Sequence, residues 1–252
     1  MILLFDVGNT NISIGISDGE KILMTYRLNT EVSKTADEYF IQIKSLIDIK
    51  SIHEIAISSV VPRITERLKE ISDRFFGIKD PLIVGPGVKT GLNVKTDNPR
   101  EVGADIICDA VGVEPLNHPV LVVDLGTANK YIYVKNKTIL GVIITPGVNI
   151  SIKALVGHTA LLPDIDIEVP KKVLGTNTIA CMQSGVTYGV AAQVDGLIER
   201  IKDEVKESFE VILTGGLSQT IAPLCKYPLH RDPDLVLKGL LAILNKNEQL
   251  RK

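Results

Sequence analysis

The sequence of 252 residues contains no Trp, and aromatic residues make up only 4% of it. It holds 28 lysine and arginine residues against 30 aspartate and glutamate residues, which gives a formal net charge of -2. Proteins that bind single-stranded nucleic acid usually combine a basic groove with aromatic rings. The composition therefore argues against nucleic acid and against an acidic membrane surface as partners.

Cysteine and histidine are also scarce, and both are scattered along the chain. The three cysteines are Cys108, Cys181 and Cys225, and none of the four histidines has a zinc-site spacing relative to another ligand. An odd number of distant cysteines is typical of reduced thiols in the cytoplasm. No apolar run reaches the roughly 20 residues of a membrane helix, and no secretory signal precedes the first apolar run. We expect a cytoplasmic protein without a structural zinc ion.

Several catalytic motifs are absent as well. The sequence has no G-x-x-x-x-G-K-[ST] segment, no H-R-D or D-F-G set and no G-x-S-x-G segment. These absences exclude a P-loop enzyme, a protein kinase and a hydrolase with a nucleophile elbow.

What the chain does contain is a repeated pattern. Residues 3–10 (LLFDVGNT) resemble residues 121–128 (LVVDLGTA), because each is an apolar run that ends in Asp-x-Gly and a small polar residue. A β-prone stretch, a turn and a further apolar stretch follow each copy, as in successive antiparallel strands. We interpret this as an internal duplication with an offset of 118 residues, from Asp6 to Asp124. It predicts domains at residues 1–117 and 118–252.

Helical patterns fill the rest of each half. Thr35 and Glu38 form a capping box, and Asn98 followed by Pro99 is typical of a helix start. Thr178 is expected to cap a long helix that ends near residue 205. Strands that alternate with helices indicate an α/β fold. The prediction is two duplicated actin-like (ribonuclease H-like) domains around a nucleotide cleft.

The two Asp-x-Gly turns are the first candidates for chemistry. A glycine such as Gly8 lets backbone N–H groups approach a phosphate, and Asn9, Thr10 and Ser13 supply neutral hydrogen-bond partners. Asp6 can hold Mg²⁺ through water, since this ion takes oxygen ligands and keeps much of its hydration. A single Asp-x-Gly segment is sufficiently explained as a chain turn with no role in binding. A second copy favours a cation site beside a triphosphate.

Asp105 and Asp109 are the next candidates. They lie four residues apart on one helix face, and either can accept a proton from a substrate hydroxyl in phosphoryl transfer. The alternative is that Asp105 only complements the helix dipole. Gly185, Gly189 and Gly196 on the long helix indicate close helix packing or a subunit interface.

Taken in order along the chain, seven motifs resemble the signature of type III pantothenate kinases, and the tail at residues 232–240 (DPDLVLKGL) also fits. The motifs are residues 6–10 (DVGNT), 97–105 (DNPREVGAD), 124–127 (DLGT), 144–147 (ITPG), 175–178 (GTNT), 182–185 (MQSG) and 214–216 (TGG). The resemblance covers essentially the whole chain.

The resemblance implies a homodimeric enzyme that uses ATP and Mg²⁺, with a monovalent cation (K⁺ or NH₄⁺), to phosphorylate pantothenate in the first step of coenzyme A synthesis. It implies Asp105 as the general base and Asp124 as the ligand of the monovalent cation. The ATP-binding residues would be Asp6, Val7, Gly8, Asn9, Thr10, Asn11, Ile12, Ser13 and Thr127. The pantothenate-binding residues would be Gly103, Ala104, Asp105, Ile106 and Thr178.

The chain departs from the family pattern at positions that bear on substrate and cation binding. Ile106 stands where the family usually has Arg, Thr96 where it has Tyr, and Asn129 and Lys130 where it has two Thr. An isoleucine cannot replace the bidentate pairing of Arg with a carboxylate. Two alternatives therefore stay open: a weakened nucleotide-binding paralogue that acts as a regulator, or a kinase of another small alcohol.

Lys130 raises a further hypothesis. Its ammonium group either replaces the monovalent cation at Asp124 or points to solvent, and strand alternation alone is compatible with both.

Overall fold

The computed structural model describes residues 1–113 and 118–248. The chain divides into two compact units. The first comprises the described parts of Met1–Pro115, Lys137–Ile139 and Asp234–Lys252, and the second comprises those of Leu116–Asn136 and Leu140–Pro233. Within the described residues, no helix is both long and apolar enough to cross a membrane.

The first unit is built on a five-stranded sheet in the order β3-β2-β1-β4-β5. Strands β1 to β3 are antiparallel neighbours, whereas β4 and β5 continue the sheet in parallel from β1. The strands of this sheet are β1 (Ile2–Val7), β2 (Asn11–Ser17), β3 (Ile22–Asn29), β4 (Glu54–Ser59) and β5 (Leu82–Ile83). The unit also contains the short β6 (Asn93–Val94), which lies outside this sheet, and the helices α1 (Ala36–Leu46), α2 (Pro62–Phe76), α3 (Ala104–Gly112) and α7 (Leu235–Glu248). Two 3₁₀ turns, Ile49–Ser51 and Pro99–Glu101, complete the unit.

Side-chain alternation along β1 decides which face each residue meets. Leu3, Phe5 and Val7 pack with α1 and α2, while Ile2 and Leu4 pack with α3 and α7. Because successive side chains of a strand point to opposite faces, Asp6 lies on the face that α3 covers. The apolar strand β1, which is buried on both faces, therefore places the carboxylate of Asp6 on the side of the sheet that faces α3.

Helix α3 is held against α7 by a very close approach of two backbones. A Cβ atom on Gly239 of α7 would lie 1.8 Å from the carbonyl oxygen of Cys108 in α3. A Cβ on Gly112 of α3 would lie 2.4 Å from the carbonyl oxygen of Leu235. Any side chain at either glycine would therefore push the two helices apart and move α3 on its sheet.

The second unit repeats the plan of the first. Its sheet has six strands in the order β6-β9-β8-β7-β10-β11, in which β7, β10 and β11 are parallel, β8 is antiparallel to β7, and β6 is parallel to β9. From β9 to β11 this is the strand order of the first sheet, so the predicted duplication is present in the fold. Its strands are β7 (Val120–Leu125), β8 (Ala128–Lys135), β9 (Thr138–Pro146), β10 (Glu210–Thr214) and β11 (His230–Arg231), and its helices are α4 (Val148–His158), α5 (Thr178–Val205) and α6 (Ser218–Ile221), followed by the 3₁₀ turn Ala222–Leu224.

Sequence-based predictions of helix starts had mixed outcomes. The capping box of Thr35 and Glu38 is present at α1. The helix predicted from Asn98 is wrong, because Pro99–Glu101 forms only a 3₁₀ turn and extended backbone at Val102 and Gly103 separates it from α3. The side chain of Asn98 bonds Glu101 Oε1 (2.6 Å) and caps no backbone N–H group.

The predicted domain boundary stays a prediction. Residues 114–117, next to it, lie outside the described residues. The compact units group Asp234–Lys252, and therefore α7, with the first half of the chain.

We predict that Gly239→Ala destabilises the protein by about 3 kcal/mol, since overpacking a rigid contact costs 1–3 kcal/mol and this contact is to backbone. Gly196→Ala is the matched control. A Cβ there meets no described atom within 4 Å, so helix propensity should stabilise α5 by about 0.5–1 kcal/mol. Urea unfolding measures both, and equal stability of the two variants would contradict the α3–α7 contact.

Candidate active site

The first Asp-x-Gly turn connects β1 to β2. Asp6 pairs across the sheet with Ser13 on β2 and with Ser58 on β4. The hydroxyl of Ser58 donates a hydrogen bond to Asp6 Oδ1 (3.0 Å). The Gly8 N–H donates to the Asn11 carbonyl (2.9 Å), and the Thr30 hydroxyl donates to the Gly8 carbonyl (2.7 Å).

These bonds fix the turn, whose tip is open to solvent. Asn9 and Thr10 are exposed, Asp6, Gly8, Asn11 and Ser13 are half-buried, and Val7 and Ile12 are buried. Within residues 6–13, the polar members of the predicted ATP-binding set thus lie at the accessible end of the strand pair, and the two apolar members belong to the core.

Asp105 lies in the first turn of α3. Its Oδ1 accepts a hydrogen bond from the Ile106 N–H (2.9 Å), which fixes the carboxylate at the helix N-terminus. Asp105 remains half-buried, whereas Asp109, one turn later, is only 1% exposed. Of the two candidate bases, Asp105 has the more accessible side chain.

The buried thiol of Cys108 on α3 packs in one cluster with Ile2 and Leu4 of β1, the strand that carries Asp6. Cys108 is fully buried, and its pKa is raised by burial first and then by the negative charge of Asp6; the charges of Asp109 and Asp105 add to the effect, and a hydrogen bond with Ser58 opposes it. The end of β1 and the start of α3 therefore form one acidic region in the first unit.

The departures from the family pattern occupy different environments. Ile106 is 7% exposed, so its side chain packs in the protein. The hydroxyl oxygen of Thr96 is buried and has no hydrogen-bond partner among the described residues.

The second Asp-x-Gly turn connects β7 to β8 in the second unit. Asp124 pairs with Lys130 across β8 and with Thr214 across β10. Lys130 Nζ lies 2.6 Å from Asp124 Oδ2, and the two side chains are only 12% and 14% exposed. The Gly147 N–H donates to the Thr127 carbonyl (3.2 Å). The DLGT, ITPG and TGG motifs thus meet at this turn.

The two turns differ by one residue. The last strand pair before the first turn joins Val7 to Ile12, and before the second it joins Leu125 to Asn129. The first turn therefore spans residues 8–11 and the second spans residues 126–128. As a result Lys130 stands opposite Asp124, in the place that Ser13 holds opposite Asp6.

The start of α5 holds the last predicted site residue. The predicted cap is off by one position, because the side chain of Asn177 accepts the hydrogen bond from the Ala180 N–H (3.0 Å). Thr178 is the first helical residue and is exposed. Thr178 and Asp124 belong to the second unit, whereas Gly103, Ala104, Asp105 and Ile106 belong to the first.

Helices α4 and α5 border an open groove of about 760 Å³ within the second unit. Gly185 and Gly189 line it together with Val148, Leu155 and Met182. No described atom lies within 4 Å of a Cβ built on either glycine. The sequence pattern allowed two interpretations of these glycines, close helix packing inside the chain or a subunit interface. The first does not apply to Gly185 and Gly189.

Sequence reasoning missed Ser58, which orients Asp6. Its signal was weak, since a serine at the end of an apolar strand is common. The described residues contain no group of three or more His, Cys, Asp or Glu side chains arranged to hold a metal ion.

Comparison with known proteins decides the family. The family model of the type III pantothenate kinases matches residues 2–200. A type III pantothenate kinase of Acholeplasma laidlawii is 53% identical over 98% of this chain and 99% of its own length. One of Exiguobacterium sp. is 44% identical over 99% of this chain and 100% of its own length. The chain belongs to the type III pantothenate kinase family.

Solved structures whose sequences are only distantly similar share the fold of this type III pantothenate kinase. A Campylobacter jejuni protein assigned to the Baf family of transcriptional activators matches with a TM-score of 0.64 and 21% identity, covering 98% of this chain and 99% of that protein. Component A of the (R)-2-hydroxyglutaryl-CoA dehydratase of Acidaminococcus fermentans matches with a TM-score of 0.56 and 15% identity, covering 100% and 99%. The predicted fold class, α/β with duplicated actin-like domains, is confirmed.

We predict that Cys108 resists alkylation in the native kinase. Only the thiolate reacts, and burial with nearby carboxylates raises the pKa of this thiol. At about pH 8.5, where an ordinary thiol is half ionised, iodoacetamide followed by peptide mass spectrometry should find Cys108 unmodified. The urea-unfolded protein is the control and should be modified readily. Equal rates in the two states would contradict the buried cluster.

Proposed function

We propose that this chain transfers the γ-phosphoryl group of ATP to the primary hydroxyl of pantothenate, which produces 4'-phosphopantothenate for coenzyme A synthesis. The observation that carries the proposal is 53% identity to a type III pantothenate kinase over 98% of this chain. The proposed location is the cytoplasm, where the ATP pool is available.

Asp105 is the proposed general base. Phosphoryl transfer needs a group that accepts the hydroxyl proton as the oxygen attacks in line. The Asp105 carboxylate is anchored by the Ile106 N–H and half-exposed, and it lies in the same acidic region as Asp6. Gly103 and Ala104 before it and Thr178 on α5 are the proposed contacts of pantothenate.

Residues 6–13 are the proposed ATP-binding turn, with Thr127 as a further ATP contact. The exposed Asn9 and Thr10 offer hydrogen bonds to phosphate oxygens, and the Thr30 and Asn11 bonds hold the Gly8 backbone for that contact. Asp6 fits Mg²⁺ held through water, because it offers a half-exposed carboxylate whose Oδ1 is already oriented by Ser58. When bound, Mg²⁺ neutralises charge that develops on the phosphate oxygens.

A monovalent cation at Asp124 is the part of the family pattern that this chain fits poorly. The Asp124 carboxylate already contacts the ammonium group of Lys130 at 2.6 Å. We derive no catalytic step through such an ion.

Ile106 limits how the substrate carboxylate can be bound. Its buried side chain offers that carboxylate no charge. The buried hydroxyl oxygen of Thr96 lies in the same unit and is a candidate polar contact for part of the substrate.

We also propose that the enzyme is a homodimer whose second copy covers the groove between α4 and α5. Large apolar side chains are exposed on α4 and on residues 159–177 after it, among them Leu155 (41%), Leu161 (91%) and Leu174 (84%). An exposed apolar surface of this kind around a groove is typical of a protein–protein contact. The small Gly185 and Gly189 leave room for a partner helix.

Asp105→Asn should lower turnover by at least about 100-fold, because the loss of a positioned base removes 10²–10⁴-fold in rate. ATP binding should be nearly unchanged. A coupled ADP-release assay and calorimetric ATP titration measure the two effects, with Asp73→Asn, an exposed carboxylate on α2, as the control.

Near-normal turnover of Asp105→Asn would remove Asp105 from this role. In the same assay, ADP release with another alcohol but not with pantothenate would indicate a different substrate. ATP binding without ADP release from any alcohol would favour the regulatory alternative.

Leu155→Glu should convert a dimer into a monomer, since it places a charge in the proposed apolar contact. Ile41→Glu is the matched control, because Ile41 is a more exposed apolar residue (67%) on α1 of the other unit. Size-exclusion chromatography with light scattering should give twice the chain mass for the wild type and the control. A wild-type monomer would contradict the dimer.

A further inference from the structure

The Asp124–Lys130 ion pair differs in exposure from the other ion pair described on β8. Lys130 and Asp124 are 12% and 14% exposed, whereas Lys135, at the end of β8, pairs with Glu207 at 34% and 30% exposure. Exposed pairs contribute little to stability, but removing one member of a buried pair leaves an uncompensated charge. The pair at the second turn is therefore the one whose loss matters.

The register of the sheet places the two members of this pair side by side. Asp124 and Lys130 are direct cross-strand neighbours, so both side chains lie on one face of the sheet. The shorter turn at residues 126–128 sets this register. Lys130 Nζ lies 2.6 Å from Asp124 Oδ2 and its side chain is only 12% exposed, so the solvent-directed alternative for Lys130 is wrong.

The remaining space around the carboxylate is small. A Cβ on Gly215 would lie 2.4 Å from Asp124 Oδ1, so the backbone of the TGG motif packs directly against that oxygen. Lys130 Nζ occupies the other oxygen. A metal ion bound to this carboxylate would have to sit beside the lysine ammonium, and two like charges at such a distance repel.

We propose that the Lys130 ammonium is a built-in cation that replaces a bound monovalent metal ion at Asp124. It neutralises the carboxylate and holds the turn that carries Thr127, so Lys130 is a positioning residue. Its effect on turnover rests on the proposed function, whereas its effect on the cation dependence of folding does not.

The first test is turnover of the full chain with ATP, Mg²⁺ and pantothenate at one ionic strength, set with potassium, ammonium or choline chloride. The wild type should keep the same rate within about twofold in all three, since Lys130 already supplies the charge. Lys130→Thr should lose about tenfold or more in choline, because a buried carboxylate is left unpaired. Potassium or ammonium should restore most of that loss.

The second test measures the melting temperature in the same three salts, without substrate. Lys130→Thr should melt roughly 5 °C below the wild type in choline and recover in potassium. Lys130→Arg keeps the charge and should show no potassium dependence. Lys135→Thr is the matched control: it removes the more exposed pair of β8, and its melting temperature should be independent of the cation.

The outcomes separate this proposal from the proposed function. At least about tenfold activation of the wild type by potassium, or potassium-independent melting of Lys130→Thr, would overturn the built-in cation. If no salt supports turnover of pantothenate, the proposed function fails, and the melting data still decide the role of Lys130. If Lys130→Thr does not fold in choline, its recovery in potassium supports the proposal and its failure to recover overturns it.

Discussion

Side-chain alternation along two buried strands is the constraint on which the sites depend. Every residue of β1 and β7 except the penultimate one is buried and apolar. The core therefore fixes both the register and the face of each strand, because a slip by one residue would bring the apolar side chains to the wrong face. The carboxylates of Asp6 and Asp124 are positioned as a consequence, one in each unit.

In the first unit, the end of β1 therefore lies next to the start of α3. Asp6 lies on the face that α3 covers, and the close contact of α3 with α7 through Gly239 sets the position of that helix. The position of Asp105 therefore depends on the packing of α3 against α7, a helix more than 100 residues further along the chain. Burial first, and then the charges of Asp6, Asp109 and Asp105, raise the pKa of the Cys108 thiol on the same helix.

The second unit has the same arrangement of strands, but a different type of residue lies opposite its carboxylate. The turn after Asp124 is one residue shorter than the turn after Asp6, and the residue opposite the carboxylate is Lys130 instead of a serine. A duplicated framework thus carries a polar, open turn in one copy and a neutralised, mostly buried carboxylate in the other. This difference is consistent with different tasks for the two turns.

Much of this could be predicted from local sequence, and the failures have physical causes. The duplication and the two strand-end carboxylates follow from apolar runs that end in Asp-x-Gly. The helix predicted from Asn98 failed because its cap and proline form a complete 3₁₀ turn that ends before Val102. The direction of the Lys130 side chain depends on the length of the turn. The sequence offset of 118 residues makes Lys130 the counterpart of Ile12, whereas the strand pairing makes it the counterpart of Ser13, because the second turn is one residue shorter. The grouping of α7 with the first unit rests on long-range packing, which no local pattern encodes.

The central claim is that this chain phosphorylates pantothenate although the residue after the proposed base Asp105 is the buried, uncharged Ile106. The most direct measurement is mass spectrometry of the products after the full chain is incubated with ATP, Mg²⁺ and pantothenate. The account predicts phosphopantothenate and ADP in equal amounts. ATP that remains intact in the presence of pantothenate, with the nucleotide bound to a folded protein, would contradict it.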